Sequence, residues 1–301
     1  MRSAFTLPSF AKVNLGLRVF GKRPDGFHDL CTIFQTVSLA DRLTFSRSDE
    51  IRLTCSDPAL PLDGTNLVIK AAKALRASCG SEQGVTIHLE KFTPSPGGLG
   101  GGSSNAAVTL LGLRELWNVD VPDNDLIKIA GDLGSDVPFF LFGGTALGTG
   151  RGEMIENIEE TDIPYMLVVT PSVHVSTREV FSAIEAENLT TDARNRILRV
   201  CRDREGPAGL NVPELINDLE TPVIAMFPEV GEVKNALLEL GARKAQMSGS
   251  GASVFGIFEN EETRQAALKA LGQKPTWRSF AVATVSRDRY CEELNALGCF
   301  R

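Results

Sequence analysis

The chain has 301 residues, 43% of them apolar and 23% charged, a globular composition whose length suits two lobes or one large α/β unit. A formal net charge of −7 argues against nucleic acid as a partner, because binding to a phosphate backbone requires a basic surface. No apolar run approaches the roughly 20 residues of a membrane span, so no membrane partner is expected.

The first half is predicted to begin with strands and to continue into helices. The segment AFTLPSFAKVNLGLRVFG alternates apolar and polar residues, and a Pro-Asp-Gly turn follows it. TNLVIKAAKALRAS is predicted to be a helix, GVTIHLEKF a strand, and both SSNAAVTLLGLRELWN and PDNDLIKIAGDLG helices. DVPFFLFGGTALG is predicted to return to strand. The buried face of the first helix is expected to carry Leu67, Ala71, Ala74 and Leu75.

The second half is predicted to begin near residue 158 with a strand in NIEETDIPYMLVVTPS. Helices are predicted in TREVFSAIEAE, on both sides of the Phe227-Pro228 break and in EETRQAALKAL, and a last strand in WRSFAVATVS. KAQMSGSGASVFGIFEN is typical of a strand, a Gly/Ser turn and a strand. The polar residues 188–210 indicate either a mobile insertion or a short helix. Because each half mixes strands with helices, we predict an α+β fold with domains 1–157 and 158–301.

The scattered cysteines indicate the cellular compartment. The sequence has six of them without a C-x-x-C pair, and no secretory signal precedes them, so we expect reduced thiols in a cytoplasmic protein. His88 and His174 lack partners at metal-ligand spacing and are expected to be structural, which leaves the ligands of any metal unknown.

The stretch PGGLGGGSSNAA, residues 96–107, places five glycines between a predicted strand and a predicted helix. Such a loop directs backbone N–H groups and the positive end of a helix dipole at one point, which suits phosphate. A loose linker is the alternative, but the loop is short and regular elements bound it on both sides. It is not a Walker A loop, since no lysine follows the glycines. The dinucleotide fingerprint also fails, because Ser103 stands at its third glycine position.

PSPGGLGGGSSNAA resembles the nucleotide loop of the GHMP kinases, the superfamily of galactokinase, homoserine kinase and mevalonate kinase. AKVNLGLRVFGKRPDGFHDL, LGSDVPFFLFGG and MSGSGASVFGIF are similar to one branch of it, which phosphorylates the 2-hydroxyl of a cytidine diphosphate-linked methylerythritol in non-mevalonate isoprenoid synthesis. FQTVSLADRL and NDLETPV fit the same branch. The motifs follow the family's order over nearly the whole chain. The resemblance implies a two-lobed GHMP kinase fold with its active site between the lobes, ATP with Mg²⁺, and that small molecule as acceptor.

The resemblance implies that Asp136 is the catalytic carboxylate and that Lys12 is its partner. The chemistry agrees, because a hydroxyl must lose its proton as it attacks the γ-phosphoryl group. A lysine beside the carboxylate holds it ionised and steadies the charge on the transferred group. Taken singly, Asp136 could be a turn residue and Lys12 a solvated strand charge.

The resemblance also implies that the glycine loop wraps the ATP phosphates and that Phe27 and Phe181 clamp the cytosine, with His28 hydrogen-bonded to the base. Phe27 replaces a common tyrosine, and Pro96 stands where relatives often carry glycine or alanine, which removes one N–H donor. Phe181 could instead belong to the buried face of a helix. A valine at Gly101 is expected to enter the phosphate site.

The expected ATP-binding residues are Pro94, Ser95, Pro96, Gly97, Gly98, Leu99, Gly100, Gly101, Gly102, Ser103 and Ser104. The expected acceptor-binding residues are Asn14, Phe27, His28, Phe181, Ser248, Gly249, Ser250 and Gly251.

Two alternatives stay open. One is another GHMP small-molecule kinase, such as homoserine or mevalonate kinase, and DGFHDL with the cytidine aromatics argues against it. The other is a non-catalytic nucleotide-binding protein on the same fold. The presence of both Lys12 and Asp136 argues against that, since a sensor needs no base. We expect a monomer or a weak homodimer.

Overall fold

The computed structural model describes residues 4–184, 216–294 and 300. The prediction for residues 188–210 lies outside these described residues.

Within this part of the chain, a six-stranded sheet carries most of the first half. Its two longest strands pair with each other in antiparallel orientation, because the predicted Pro-Asp-Gly turn reverses the chain between them. The other strands are antiparallel to their neighbours, except that the third and fourth pair in parallel. The strands are β1 (Ala4–Lys22), β2 (His28–Ser48), β3 (Ile51–Cys55), β4 (Gly84–Glu90), β5 (Thr145–Gly150) and β6 (Met154–Asn157).

Helices of the first half cover this sheet and share one apolar core with it. The Asn66 side chain caps the first helix by accepting a hydrogen bond from the Val68 N–H at 2.9 Å. The predicted face is slightly rotated, since Leu67 and Ala74 are only half-buried while Ala72 is buried. The helices are α1 (Leu67–Ser78), α2 (Gly101–Trp117), α3 (Asp123–Leu133) and α4 (Phe139–Phe142).

In the described residues, the second half of the chain forms a four-stranded antiparallel sheet. Its strands lie in the order β10-β7-β9-β8. Its strands are β7 (Met166–Pro171), β8 (Lys244–Met247), β9 (Val254–Ile257) and β10 (Trp277–Val282). The helices that follow in chain order are α5 (Thr177–Ser182), α6 (Glu220–Met226), α7 (Pro228–Glu239), α8 (Glu261–Leu271) and α9 (Arg287–Glu293). No described helix has the length and apolar character needed to cross a membrane.

The predicted α+β class is confirmed, as are the Gly/Ser turn, the helix break at Phe227-Pro228 and every predicted strand but one. One prediction is wrong: the apolar run of DVPFFLFGG forms the short helix α4, and the strand starts only at Thr145. A short apolar run does not distinguish a buried helix from a buried strand. Pro138 suits the start of a helix, and Gly143 and Gly144 leave it with a φ of +68° each.

The two sheets pack against each other through β1. Ala11, Val13 and Leu15 of β1 share a buried cluster with Val168 and Phe255 of the second sheet. The chain later returns to the first sheet, because α9 packs into that sheet's core. The boundary between residues 157 and 158 stays a prediction.

Tyr290 in α9 anchors the end of the chain to the segment that contains Asp136 and α4. Its hydroxyl is fully buried and donates a hydrogen bond to the Phe140 carbonyl at 2.6 Å. We expect Tyr290→Phe to lower the free energy of unfolding by about 1–2 kcal/mol, because a buried acceptor loses its partner. Urea titration of the purified variant measures this change.

The matched control is Tyr165→Phe, which removes the hydroxyl of the chain's other tyrosine, a half-buried residue. An equal loss in both variants would contradict a specific role for the Tyr290 hydrogen bond.

Candidate active site

A cleft of about 950 Å³ opens where loops of the two sheets meet. It is lined by β1, the β1–β2 turn, the glycine loop, the segment before α4, α5 and the turn between β8 and β9. Most of the residues predicted from the sequence line this one cleft. They are Lys12, Asn14, Phe27, His28, Pro96, Gly97, Gly98, Gly100, Ser103, Asp136, Phe181, Gly249, Ser250 and Gly251.

Lys12 and Asp136 form an ion pair in the cleft, with 3.2 Å between Nζ and Oδ2. The ammonium group of Lys12 also donates to the Asn14 Oδ1 atom at 2.5 Å and to the Gly98 carbonyl at 3.0 Å. These three acceptors match the three donors of an ammonium group. The Lys12 side chain is only 3% exposed, whereas that of Asp136 is 35% exposed. The lysine is therefore held in place, and the carboxylate remains open to a ligand.

Asn14 holds Lys12 from the neighbouring position on β1. Its amide nitrogen donates to the Thr32 hydroxyl at 2.7 Å, which turns the amide oxygen toward the Lys12 ammonium. Its backbone N–H donates to the Ser248 hydroxyl at 3.1 Å. Asn14 thus lines the cleft while its polar groups connect β1 to β2 and to the Gly/Ser turn.

The glycine loop leads directly into α2, which begins at Gly101, two residues before the predicted start. Gly100 is the N-cap with a φ of +67°, and no side chain caps the helix. The N-terminal end of a 17-residue helix is therefore not blocked by a side chain beside the cleft. Gly98 has a φ of +72°, and a Cβ atom there would lie 2.2 Å from the Ser248 carbonyl oxygen. Only glycine permits this approach of the loop to the Gly/Ser turn.

Some residues of the predicted ATP loop do not face the cleft. Leu99 is buried in the apolar cluster between the sheets, and the Ser104 hydroxyl accepts a hydrogen bond from Ser9 at 2.8 Å. A Cβ atom at Gly101 would lie 3.0 Å from both the Lys91 Nζ and the Thr93 Cγ2 atoms, beneath the loop. The expectation that a valine at Gly101 enters the phosphate site is therefore wrong. Pro94, Ser95, Gly102 and Ser248 also lie outside the lining of the cleft.

The Gly/Ser turn of residues 248–251 is hydrogen-bonded to the glycine loop. The Ser248 hydroxyl donates to the Gly98 carbonyl at 3.0 Å, and the Ser253 N–H donates to the Gly97 carbonyl at 3.2 Å. The Asn217 side chain donates to the Gly249 carbonyl at 2.8 Å. The two loops predicted to hold different substrates therefore form one connected wall.

The predicted cytosine residues Phe27, His28 and Phe181 line the same cleft. His28 stacks on Phe181, with 5.3 Å between ring centroids and 25° between the ring planes. Burial lowers the pKa of His28 below its ordinary value of 6.5, and the charge of Lys22 lowers it further, so the imidazole is neutral at pH 7. Phe181 is half-buried: it lines the cleft and also packs against the core of the second sheet, and its role in binding cytosine stays a prediction.

Phe27 is 52% exposed, and the Arg151 guanidinium lies 4.9 Å from the centroid of its ring. Sequence reasoning missed Arg151, which lines the cleft from the turn between β5 and β6. An arginine between two glycines was the available signal. Sequence reasoning also missed Arg178, which lines the cleft from α5, and no feature of its surroundings in the sequence singles it out.

Comparisons with known proteins identify the family of this chain. The family model described as GHMP kinases N terminal domain matches residues 66–144, and GHMP kinases C terminal matches residues 208–275. The 4-diphosphocytidyl-2-C-methyl-D-erythritol kinase of Prosthecochloris aestuarii is 42% identical over 93% of this chain and 99% of its own. The enzyme of the same name from Syntrophus aciditrophicus is 41% identical over 91% and 97%.

Solved structures give the same result. A crystal structure of 4-(cytidine 5'-diphospho)-2C-methyl-D-erythritol kinase superposes with a TM-score of 0.77 at 36% identity, covering 93% of this chain and 99% of that one. A homoserine kinase from Cytophaga hutchinsonii reaches a TM-score of 0.70 at 21% identity, over 95% and 96% of the two chains, which indicates a shared fold alone. The chain therefore belongs to the GHMP kinases and, within them, to the family of the 4-diphosphocytidyl-2-C-methyl-D-erythritol kinases.

Proposed function

We propose that this chain transfers the γ-phosphoryl group of ATP to the 2-hydroxyl of 4-diphosphocytidyl-2-C-methyl-D-erythritol, a step of the non-mevalonate isoprenoid pathway. The main observation behind the proposal is a single cleft that contains both the Lys12–Asp136 pair beside the glycine loop and the His28–Phe181 stack. Relatives about 40% identical over most of the chain carry this enzyme's name. The homoserine and mevalonate kinases match at 21% identity or less, which supports the fold and not their acceptors.

In this proposal Asp136 accepts the proton of the attacking hydroxyl or orients that hydroxyl. Its partly exposed carboxylate is accessible from the cleft, and the buried Lys12 ammonium lies 3.2 Å from it. Lys12 cannot swing into the cleft without breaking its bonds to Asn14 and to the Gly98 carbonyl. The pair therefore supplies a base of fixed orientation.

The ATP phosphates would bind at the glycine loop and the first turn of α2. Backbone N–H groups at the start of a helix favour anions, and Ser103 adds a hydroxyl that lines the cleft. The Leu99 side chain and the Ser104 hydroxyl face away from the cleft, as a Cβ atom at Gly101 would, so these three residues would contact ATP only through their backbone N–H groups.

Mg²⁺ fits this site as an ion that ATP brings with it. The described residues contain no cluster of three or more His, Cys, Asp or Glu side chains that could hold a metal. Mg²⁺ needs only one or two protein oxygens beside phosphates and water, and Ser103 and Asp136 both line the cleft. When bound, the ion neutralises charge on the phosphates.

We also propose that the protein acts in the cytoplasm as a monomer or a weak homodimer with lobes 1–157 and 158–301. The thiols of Cys55 and Cys79, which form no disulfide, support a reducing compartment. Light scattering on the purified protein measures the oligomeric state.

The acceptor is tested by assaying ATP turnover with a panel of candidate acceptors. We expect phosphorylation of 4-diphosphocytidyl-2-C-methyl-D-erythritol and at most trace activity with homoserine or mevalonate, because the aromatic end of the cleft suits a nucleobase. Mass spectrometry of the product measures the transfer. Faster turnover with homoserine or mevalonate would contradict the proposal.

The base is tested with Asp136→Asn, which keeps the size of the side chain but removes the proton acceptor. We expect turnover to fall by about 10²–10⁴-fold, because a positioned base contributes that much. ATP and acceptor binding should persist, since other residues form those sites. Steady-state kinetics and calorimetric titration on folded protein measure both effects.

The control for that experiment is Asp132→Asn, a neutralised carboxylate on the exposed face of α3. Full activity in Asp136→Asn, or an equal loss in the Asp132 variant, would rule out the base assignment.

The cytosine site is tested with Phe27→Ala and His28→Ala. Each should raise the KM for the cytidine acceptor about tenfold or more while the ATP KM stays constant, because a stacked ring or a base-specific hydrogen bond is lost. Leu238→Ala, an exposed apolar residue on α7, serves as the control. An unchanged acceptor KM in both site variants would mean that the base binds elsewhere.

A further inference from the structure

A buried carboxylate outside the cleft, Asp41 of β2, lies beneath the glycine loop. Its side chain has no exposed surface, and each oxygen accepts a pair of hydrogen bonds. The Oδ1 atom accepts from the backbone N–H groups of Phe92 at 2.8 Å and Thr93 at 2.7 Å. The Oδ2 atom accepts from the Lys91 ammonium at 2.7 Å and the Asn105 amide at 3.0 Å. Asp41 is thus fully satisfied by protein groups.

These donors lie on both sides of the glycine loop. Residues 91–93 lead into the loop, and Asn105 belongs to the start of α2, into which the loop runs. The Asn105 amide also donates to the Ser9 hydroxyl at 2.9 Å, and that hydroxyl donates to Ser104 at 2.8 Å. Ser9 faces Asp41 across the β1–β2 pairing. One carboxylate on the β1–β2 hairpin therefore connects the residues just before the glycine loop to those just after it.

Lys91 belongs to this network and not to the cleft. Its side chain is 5% exposed, and its ammonium donates to Asp41 and to the Thr93 carbonyl at 2.6 Å. A lysine just before a phosphate loop invites the interpretation that it contacts phosphate. Here Asp41 neutralises its charge below the loop, where Gly101 approaches it.

An ion pair buried this deeply is not an efficient source of stability, because desolvation offsets most of its attraction. The ion pair instead fixes the positions of the groups around it, because each hydrogen bond constrains the direction from its donor to its acceptor. A displacement of about 1 Å in a group that positions a substrate can cost about 100-fold in rate. Glycine backbones are conformationally free, so contacts from outside the loop must hold its shape, and those of Asp41 act at its two ends.

We propose that Asp41 is a positioning residue, which fixes both ends of the glycine loop so that the first turn of α2 stays directed at the ATP phosphates. The proposal rests on the proposed function only in that the loop binds ATP. Asp41 touches neither substrate and acts through Lys91, Thr93 and Asn105.

The test is Asp41→Asn, which keeps the acceptor facing the backbone N–H groups but can present an NH₂ group to the Lys91 and Asn105 donors. We expect the dissociation constant of a non-hydrolysable ATP analogue, and the ATP KM, to rise about tenfold or more. The acceptor KM should change less than about twofold, because none of the hydrogen bonds of the network involves Phe27, His28 or Phe181. A merely structural role would lower the melting temperature without this split between the substrates.

The control is Trp117→Phe at the far end of the same helix, where the buried indole donates to the Gly84 carbonyl at 3.1 Å. It should lower the melting temperature and leave the affinity for the ATP analogue unchanged. An analogue affinity in folded Asp41→Asn within about twofold of the parent value would overturn the proposal.

A charge-balanced variant covers the case in which Asp41→Asn does not fold. Asp41→Asn combined with Lys91→Met leaves no unpaired buried charge, so we expect its melting temperature to recover while the analogue still binds about tenfold more weakly. Recovery of full analogue affinity would overturn the proposal, because charge balance alone would then explain the network. The titration needs no acceptor, so a wrong acceptor assignment leaves its outcome unaffected.

Discussion

The active site depends on one buried ammonium group, that of Lys12. A lysine that is 3% exposed is costly unless its donors are satisfied, and its acceptors come from three separate parts of the chain. Asn14 lies beside it on β1, the Gly98 carbonyl belongs to the glycine loop, and Asp136 precedes α4. The requirement to satisfy this charge therefore brings the proposed base and the proposed phosphate loop to the same point.

Around Lys12, the Gly/Ser turn of the second sheet completes the lining of the cleft through short polar contacts. Ser248 accepts from the Asn14 N–H and donates to the Gly98 carbonyl, so one hydroxyl links β1, the glycine loop and the Gly/Ser turn. Thr177 of α5 hydrogen-bonds to Ser250 at 2.8 Å, which connects the aromatic end of the cleft to the same turn. The groups that would hold ATP and the acceptor are therefore mechanically connected, although they lie far apart in the sequence.

Much of this arrangement could be predicted from the sequence because its signals are local. Strand alternation, helix caps and the glycine loop each depend on a few adjacent residues, and the motifs around Lys12 and Asp136 are similarly compact. The role of Asp41 has no such signal, since its donors lie 50 or more residues away and a buried aspartate looks like any surface one. For the same reason, the sequence did not reveal that the Ser104 hydroxyl and a Cβ atom at Gly101 point away from the cleft. Tertiary packing decides which side of a loop faces a ligand.

The stack of His28 on Phe181 has a consequence for selectivity. At 5.3 Å between centroids, the rings are in direct contact, whereas a third ring between them would need about twice a single stacking distance. In the proposed acceptor site, a base that stacks on that face of Phe181 would therefore replace the imidazole. The free energy gained by stacking would then be only the difference between two similar stacks. Discrimination among nucleobases must then come from the polar edge of the base, where a neutral imidazole offers one donor and one acceptor.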